Sequence, residues 1–145
     1  MRAPNRLLAT LLALALLSLP ASALARTARV GPCDLRRGDA ESARAFSKRL
    51  IRCAAERWEV PGGSDKAICI ADAESGLDPE ATSADGEYLG LFQHRAEAWP
   101  DRYRTWTRPS WDLDSSALSG RTNAVVTMRM VNADGWGPWE GVGGC

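Results

Sequence analysis

Four cysteines lie downstream of an apolar N-terminal segment that is typical of exported proteins. In an oxidising compartment, the cysteines of a short exported chain pair as disulfides, and each disulfide stabilises a small domain by about 2–4 kcal/mol. Four cysteines can pair in several ways, and their spacing does not choose among them. We therefore predict a small fold closed by two disulfides, built from Cys33, Cys53, Cys69 and Cys145.

A zinc site is the alternative use of these cysteines. Structural zinc sites use cysteine and histidine ligands, often at Cys-x-x-Cys spacing. The sequence contains one histidine, His94, and no Cys-x-x-Cys pair. We therefore favour disulfides and predict neither a metal site nor an organic cofactor.

Residues 1–25 have the parts of a secretory signal peptide. Two arginines precede an uncharged apolar run over residues 7–19, and a small-residue stretch, 21–25, follows. The run is shorter than the roughly 20 apolar residues that a membrane-spanning helix needs. We predict cleavage after Ala25, with Ala23 as the alternative, and a protein that is secreted to the cell wall or periplasm.

The exported part is expected to form one domain. Residues 26–38 show no hydrophobic periodicity and are predicted to be an irregular N-terminal arm, whereas the 107 residues from 39 to 145 suit a single modest core. The part after residue 25 has 16 basic and 18 acidic side chains, so it has little electrostatic attraction for nucleic acid. We expect a monomer with no nucleic-acid partner and no membrane span after signal cleavage.

Hydrophobic periodicity predicts helices over residues 39–58, 64–75 and 121–134. Apolar or small residues recur in each at steps of three and four. Asp39 and Ser64 are the expected N-caps of the first two helices, because their side chains can accept a hydrogen bond from a free amide of the first turn.

The chain between these helices is less regular. The turn signal Asp85-Gly86 and the apolar residues after it predict a short hairpin or extended loop over 82–93. Residues 95–99 can begin a short helix, whereas prolines and tryptophans predict mostly irregular structure over 100–120. The predicted fold class is therefore mainly α (α+β), with a small β-hairpin.

Three short motifs point to a function. They are Glu-Ser-Gly at 74–76, Ala-x-Ser at 81–83 and Gly-Leu-Phe-Gln at 90–93. In these motifs the sequence resembles the lysozyme-like superfamily, most closely the soluble lytic transglycosylases (SLT) and related secreted bacterial muralytic domains. It also resembles animal-type lysozymes, which have a cysteine five residues before the catalytic glutamate, as Cys69 stands before Glu74.

The resemblance, close over 69–99 and loose over 45–139, implies a disulfide-stapled lysozyme-like domain that cleaves the β-1,4 bond between N-acetylmuramic acid (MurNAc) and N-acetylglucosamine (GlcNAc) in peptidoglycan. Glu74 matches the catalytic acid and base. In a lytic transglycosylase this single carboxylate suffices, because the muramyl 6-hydroxyl attacks the anomeric carbon. The alternatives are a muramidase, for which Glu87 is the positional candidate for a second carboxylate, and a non-catalytic glycan-binding module.

Elementary electrostatics also favours Glu74 as an acid. Glycosidic cleavage needs a carboxylic acid that is still protonated near neutral pH. Glu74 lies in the last turn of the second predicted helix, which stops at Gly76, and the apolar residues of this helix and the negative end of its macrodipole both disfavour a charged carboxylate. We therefore expect a raised pKa for Glu74.

By the same resemblance, Ser83, Tyr88, Gln93 and Asn123 are candidates for substrate binding. For each of them a structural role, bracing a turn or filling the core, is the alternative. His94 follows the last motif at a position where the family usually has an apolar residue. We expect it to lie at the surface or to act as a cap, and not to be catalytic.

Five of the six tryptophans lie in the last 47 residues. Indole rings stack on the apolar faces of sugars, so a concentration of tryptophan suits a glycan-binding cleft. Trp99 and Trp106 are the candidates for such contacts. Trp136 and Trp139, spaced by glycine and proline, are expected instead to tether the C-terminal tail to the core.

Overall fold

The computed structural model describes residues 31–145, so the predicted signal peptide, 1–25, and the first part of the arm lie outside the described residues. The described part contains four α-helices and one two-stranded antiparallel sheet, which confirms a mainly helical fold with a small hairpin. In chain order the elements are α1 (Ala43–Trp58), α2 (Gly63–Ser75), β1 (Tyr88–Leu89), β2 (His94–Arg95), α3 (Trp99–Trp106) and α4 (Gly120–Asp134).

Helix α1 begins later than its periodicity predicts. Ser42 holds an extended backbone and its side chain accepts a hydrogen bond from the amide of Ala45 at 3.1 Å, so Ser42 is the N-cap. The prediction that Asp39 caps this helix is wrong, because Asp39 lies in a turn before it. The inward face of the helix buries Leu50 and Ile51.

Helix α2 begins slightly earlier than predicted and ends where predicted. Gly62 has a φ of 81°, a left-handed conformation that glycine adopts readily, and the chain enters the helix at Gly63 with no side-chain cap. The prediction that Ser64 is the N-cap is therefore wrong. At the other end Gly76 has a φ of 65° and its amide bonds back into the helix, which confirms it as the stop signal.

The prediction of mostly irregular structure over 100–120 is wrong for its first part. A 3-10 turn, Ala96–Ala98, leads directly into α3, and Pro100 lies in the first turn of that helix. Proline is tolerated there because the amide it lacks has no acceptor within a helix in any case. Residues 107–119 contain only the short 3-10 turn Pro109–Trp111.

Helix α4 is the centre of the fold. The side chain of Ser119 caps it by accepting a hydrogen bond from the amide of Thr122, and the helix ends before Gly135 as predicted. It packs against α1 and α3, while α1 also packs against α2. The predicted core residues of this helix, Val125, Met128 and Val131, are buried. Leu91 and Phe92, from the loop between the strands, are buried as well.

Two disulfides close the fold, as predicted. Cys33 pairs with Cys53 and so joins the arm to α1, whereas Cys69 pairs with Cys145 and joins the C-terminus to α2. All four cysteines are therefore used in disulfides. None of the helices within residues 31–145 is long and apolar enough to cross a membrane.

The C-terminal tail is also held by its two tryptophans. The indole N–H of Trp136 donates to the carbonyl of Pro61 at 2.7 Å, and that of Trp139 donates to the carbonyl of Phe92 at 2.9 Å. Both side chains are buried, and their rings meet edge to face. This confirms the predicted tethering of the tail.

Candidate functional site

Glu74 lies in the last turn of α2, with its side chain half-buried. No hydrogen bond or ion pair joins its carboxyl group to another described side chain or backbone group. Partial burial raises the pKa of Glu74 above the ordinary glutamate value, because desolvation disfavours the carboxylate. The direction of this shift agrees with the expectation from sequence, and it increases the fraction of Glu74 that can donate a proton.

The turn that carries Glu74 is fixed from two sides. The hydroxyl of Ser75 donates to the carbonyl of Leu91 at 2.9 Å, which ties the end of α2 to the loop between the strands. On the other side, the guanidinium of Arg44 in α1 donates to the carbonyl of Gly76 at 2.7 Å. The hydrogen bonds therefore hold the backbone around Glu74 and leave its carboxyl group unengaged.

Ser83 braces the turn before β1. Its hydroxyl oxygen accepts a hydrogen bond from the amide of Tyr88 at 3.0 Å and lies 2.5 Å from the carboxylate of Asp85, to which it donates. The same carboxylate accepts from the amide of Glu87 at 3.0 Å. The hydrogen bond from Ser83 and that from Glu87 lower the pKa of Asp85. Asp85 is thus a turn residue, as expected.

Gln93 closes the loop between the strands. It has a φ of 44°, the left-handed region that a residue with a Cβ seldom adopts, and its side-chain amide donates to the carbonyls of Gly90 at 2.9 Å and Ala81 at 3.3 Å. These two bonds hold the backbone of the loop in place.

Gly90 allows α4 to approach this loop closely. A Cβ atom at Gly90 would lie 2.3 Å from the carbonyl oxygen of Ala117 and 2.4 Å from the side-chain nitrogen, Nδ2, of Asn123. Glycine is therefore required here by space as well as by its φ of 75°. The first and last residues of the Gly-Leu-Phe-Gln motif thus shape the loop that receives the Ser75 hydroxyl.

Asn123 occupies the core beneath the same loop and is 0% exposed. Its side-chain oxygen accepts from the amide of Phe92 at 3.1 Å, while its nitrogen donates to the carbonyl of Ala117 at 2.8 Å and approaches that of Leu89 at 3.4 Å. Every polar atom of the side chain is therefore satisfied by backbone. This geometry favours the structural alternative for Asn123.

His94 is fully buried, so the expectation of a surface position is wrong. Because Arg102 can only donate, the ring Nδ1 of His94 accepts its hydrogen bond at 2.7 Å, and Nε2–H must then donate to the Thr127 hydroxyl at 2.7 Å. That hydroxyl donates to the carbonyl of Asn123 at 2.8 Å. Burial, followed by the charge of Arg102, lowers the pKa of His94 to about 3.

The sequence contained no local signal for this network, because His94 follows the Gly-Leu-Phe-Gln turn, in which Gln93 has a left-handed backbone that interrupts any strand alternation. The histidine partners Thr127 and Arg102, and the brace formed by Arg44, come from separate helices. No local sequence pattern predicts these contacts.

Trp99 and Trp106 have structural contacts. Trp99 is 6% exposed, donates its indole N–H to the carbonyl of Ser115 at 2.7 Å and packs edge to face on His94. The guanidinium of Arg129 donates to the carbonyl of Trp106 and lies over its ring. Trp99 also lines a separate cavity of about 530 Å³ with Pro100, Tyr103, Arg104, Thr107, Pro109 and Ser115.

A smaller cavity of about 200 Å³ opens beside the hairpin, and two of the candidate substrate residues line it. Tyr88, 38% exposed, and Gln93 face it together with Arg95, Arg102, Pro138 and Trp139.

Four of the candidate substrate residues thus gather at the hairpin, which contacts the turn of Glu74. These are Ser83, Tyr88, Gln93 and Asn123. Trp99 belongs to another cavity, and Glu87 is exposed and lines a cavity of about 210 Å³ with Arg95 and Glu97. Comparisons of the chain with models of protein families, with curated proteins and with solved structures find no match.

Proposed function

We propose that this protein is a secreted lysozyme-like enzyme that cleaves the β-1,4 MurNAc–GlcNAc bond of peptidoglycan, with Glu74 as general acid and base. One observation carries the proposal. Glu74 is a half-buried acid with a raised pKa and no partner among the described residues, on a turn that is fixed to the hairpin loop. The other described glutamates that lack an ion pair are exposed, whereas Glu74 is partly buried.

The proposed reaction begins with proton transfer. Glu74 donates its proton to the glycosidic oxygen while the bond from that oxygen to the anomeric carbon breaks. The resulting carboxylate then accepts the proton of the muramyl 6-hydroxyl, whose oxygen attacks the anomeric carbon. The products are a 1,6-anhydro-muramyl end and a new GlcNAc 4-hydroxyl, and no water is consumed.

We prefer this route to hydrolysis because the resemblance to lytic transglycosylases requires only one catalytic carboxylate. A hydrolase that uses two carboxylates places the second one across the cleft from the acid, where it activates water or attacks the sugar. Glu87 is exposed, and its backbone is engaged in the turn through Asp85 and Ala96. A muramidase is the second candidate, since water can replace the 6-hydroxyl in the second step.

The proposed cell-wall location is compatible with the two disulfides, which an oxidising compartment maintains. The proposed lysozyme-like fold is compatible with helices that surround a small hairpin. A non-catalytic glycan-binding module is the rival from another class, and it has no need for an acid of raised pKa.

The test uses purified protein without residues 1–25, the isosteric variant Glu74→Gln and the matched control Glu87→Gln. Each is incubated with peptidoglycan, and the soluble products are identified by mass. We expect anhydro-muropeptides from the wild type and from Glu87→Gln, and a rate at least about 100-fold lower for Glu74→Gln. Reducing-end products would replace the transglycosylase with a hydrolase, and no products from the wild type would refute the enzyme.

A further inference from the structure

The cavity of about 200 Å³ beside the hairpin has a cationic wall. Arg95 and Arg102 line it, together with Tyr88, the cross-strand partner of Arg95, and Gln93. Its volume is too small for a disaccharide but suits a substituent of a few heavy atoms. The cavity shares Tyr88 and Gln93 with the hairpin of the proposed active site.

Arg102 is held in place by a group that cannot neutralise it. One nitrogen of its guanidinium donates to Nδ1 of His94, which is fully buried, uncharged and itself fixed by Thr127. A guanidinium has five N–H donors, so most of them are left for another acceptor. This bond sets the orientation of the guanidinium plane before any ligand arrives.

The positive charge of Arg102 has no carboxylate partner within residues 31–145. The other cation of this wall, Arg95, is paired with Glu97 at 2.7 Å. Burial, and then the charge of Arg95, lower the pKa of Arg102. An anionic ligand would relieve both effects.

We infer that this cavity binds a carboxylate of the substrate, with the oriented guanidinium of Arg102 as its principal ligand and Arg95 as a second cation. Guanidinium groups bind carboxylates through paired hydrogen bonds, and a half-buried, pre-oriented guanidinium does so with less loss of side-chain freedom. The identity of the substrate rests on the proposed function, whereas the carboxylate specificity rests on the cavity itself.

A peptidoglycan strand can supply this carboxylate from two sources. A muramyl residue without its stem peptide carries a free lactyl carboxylate, and a muramyl residue with a stem carries the terminal carboxylate of the peptide. GlcNAc has neither. The site therefore selects the muramyl side of the glycosidic bond. The two carboxylate sources predict that different muramyl compounds bind.

Binding is measured by NMR titration in the Glu74→Gln protein, so that cleavage plays no part. N-acetylmuramic acid is compared with GlcNAc, and an N-acetylmuramyl tripeptide with its C-terminal amide. Binding of N-acetylmuramic acid but not GlcNAc identifies the lactyl group, whereas binding of the tripeptide but not its amide identifies the stem. Equal affinities within both pairs would overturn the inference.

The variant Arg102→Gln should weaken binding of the preferred carboxylate at least about tenfold. Its matched control is Arg104→Gln, which removes the same charge from an exposed position on the same helix, where Arg104 pairs with Asp101. Equal affinities of the two variants would contradict the proposal. Because Arg102→Gln also alters the contact to His94, its fold is checked by near-UV circular dichroism.

If Arg102→Gln does not fold, the affinity for the same carboxylate is measured with the exposed variant Arg95→Gln. An unchanged affinity in that variant would overturn the inference. With active enzyme, Arg102→Lys should raise KM for peptidoglycan and leave kcat within about threefold, because a lysine keeps the charge but loses the paired geometry. If the wild type does not cleave peptidoglycan, the proposed function is refuted, but the binding result still stands. If binding does not depend on the carboxylate, the inference about the cavity is refuted, but the cleavage result still stands.

Discussion

The hairpin is held by two polar clusters that use similar residue types in opposite surroundings. On the exposed side, Ser83 and the carboxylate of Asp85 tie the turn together in contact with water. On the buried side, Asn123 and His94 tie the loop to α4 with no exposure at all. The first cluster organises a turn locally, whereas the second joins distant parts of the chain.

The two clusters also treat charge differently, although a pKa is lowered in both. Hydrogen bonds lower the pKa of Asp85 and so favour its charged form. Burial lowers the pKa of His94 and so favours its uncharged form. Protonation therefore weakens two hydrogen bonds of an exposed turn in the first case, but places an uncompensated charge in the core in the second. Perturbing the buried cluster should cost more.

The largest effect is expected for Asn123→Ala. The substitution leaves the amide of Phe92 and the carbonyl of Ala117 without partners in the core, and an unsatisfied buried group costs about 1–3 kcal/mol. We expect the free energy of unfolding to fall by about 3 kcal/mol in total, measured by denaturant titration.

The control for this variant is Asn132→Ala, in the exposed last turns of α4, where the side chain bonds only the carbonyl of Trp58. It should lower the free energy of unfolding by about 1 kcal/mol or less. Similar losses for the two asparagine variants would contradict the distinction between buried and exposed clusters.

The second effect concerns pH and His94. Its pKa is about 3 in the folded protein and near 6.5 when unfolded, so its contribution to stability is complete above about pH 6.5 and declines as the pH falls toward 3. The decline should approach about 1.4 kcal/mol per pH unit between these values.

The measurement compares unfolding of Glu74→Gln with that of Glu74→Gln/His94→Gln between pH 7 and pH 5. The Glu74→Gln background is needed because the raised pKa of Glu74 adds stability in the opposite direction, present at low pH and lost as pH rises. His94 is the one histidine in the chain, and a glutamine can both accept from Arg102 and donate to Thr127. Parallel pH dependences for the two proteins would contradict a neutral buried histidine.

The sequence predicted what local physics decides. The end of α2 follows from Gly76, the turn from Asp85-Gly86, and α4 from its periodicity, and all three lie within a residue or two of their predicted positions. Helix α3 was missed because Pro100 is compatible with either the first turn of a helix or an irregular segment, and only packing chooses between them.

The disulfide pairing and the contacts of the buried side chains depend on long-range geometry. The cysteine pairs meet at Cα separations of 5.8 Å and 5.7 Å across 20 and 76 residues of chain, which spacing alone does not reveal. Asn123 is a candidate site residue through the family resemblance, but its contacts with backbone groups 31 and 34 residues away are visible only in the folded chain. The pattern over 82–93 thus located the turn and the first strand, but the second strand, His94–Arg95, lies just beyond the predicted range.

The smallest effect is expected for Ser83→Ala, and it separates bracing from substrate binding. The substitution removes the hydrogen bond to the amide of Tyr88 and the one donated to Asp85, both near solvent, so the free energy of unfolding should fall by about 1 kcal/mol. If Ser83 acts only as a brace, Ser83→Thr, which keeps the hydroxyl, restores both stability and peptidoglycan cleavage. If instead Ser83→Ala leaves stability unchanged but raises KM, the hydroxyl contacts the sugar, and the exposed cluster belongs to the binding surface rather than to the scaffold.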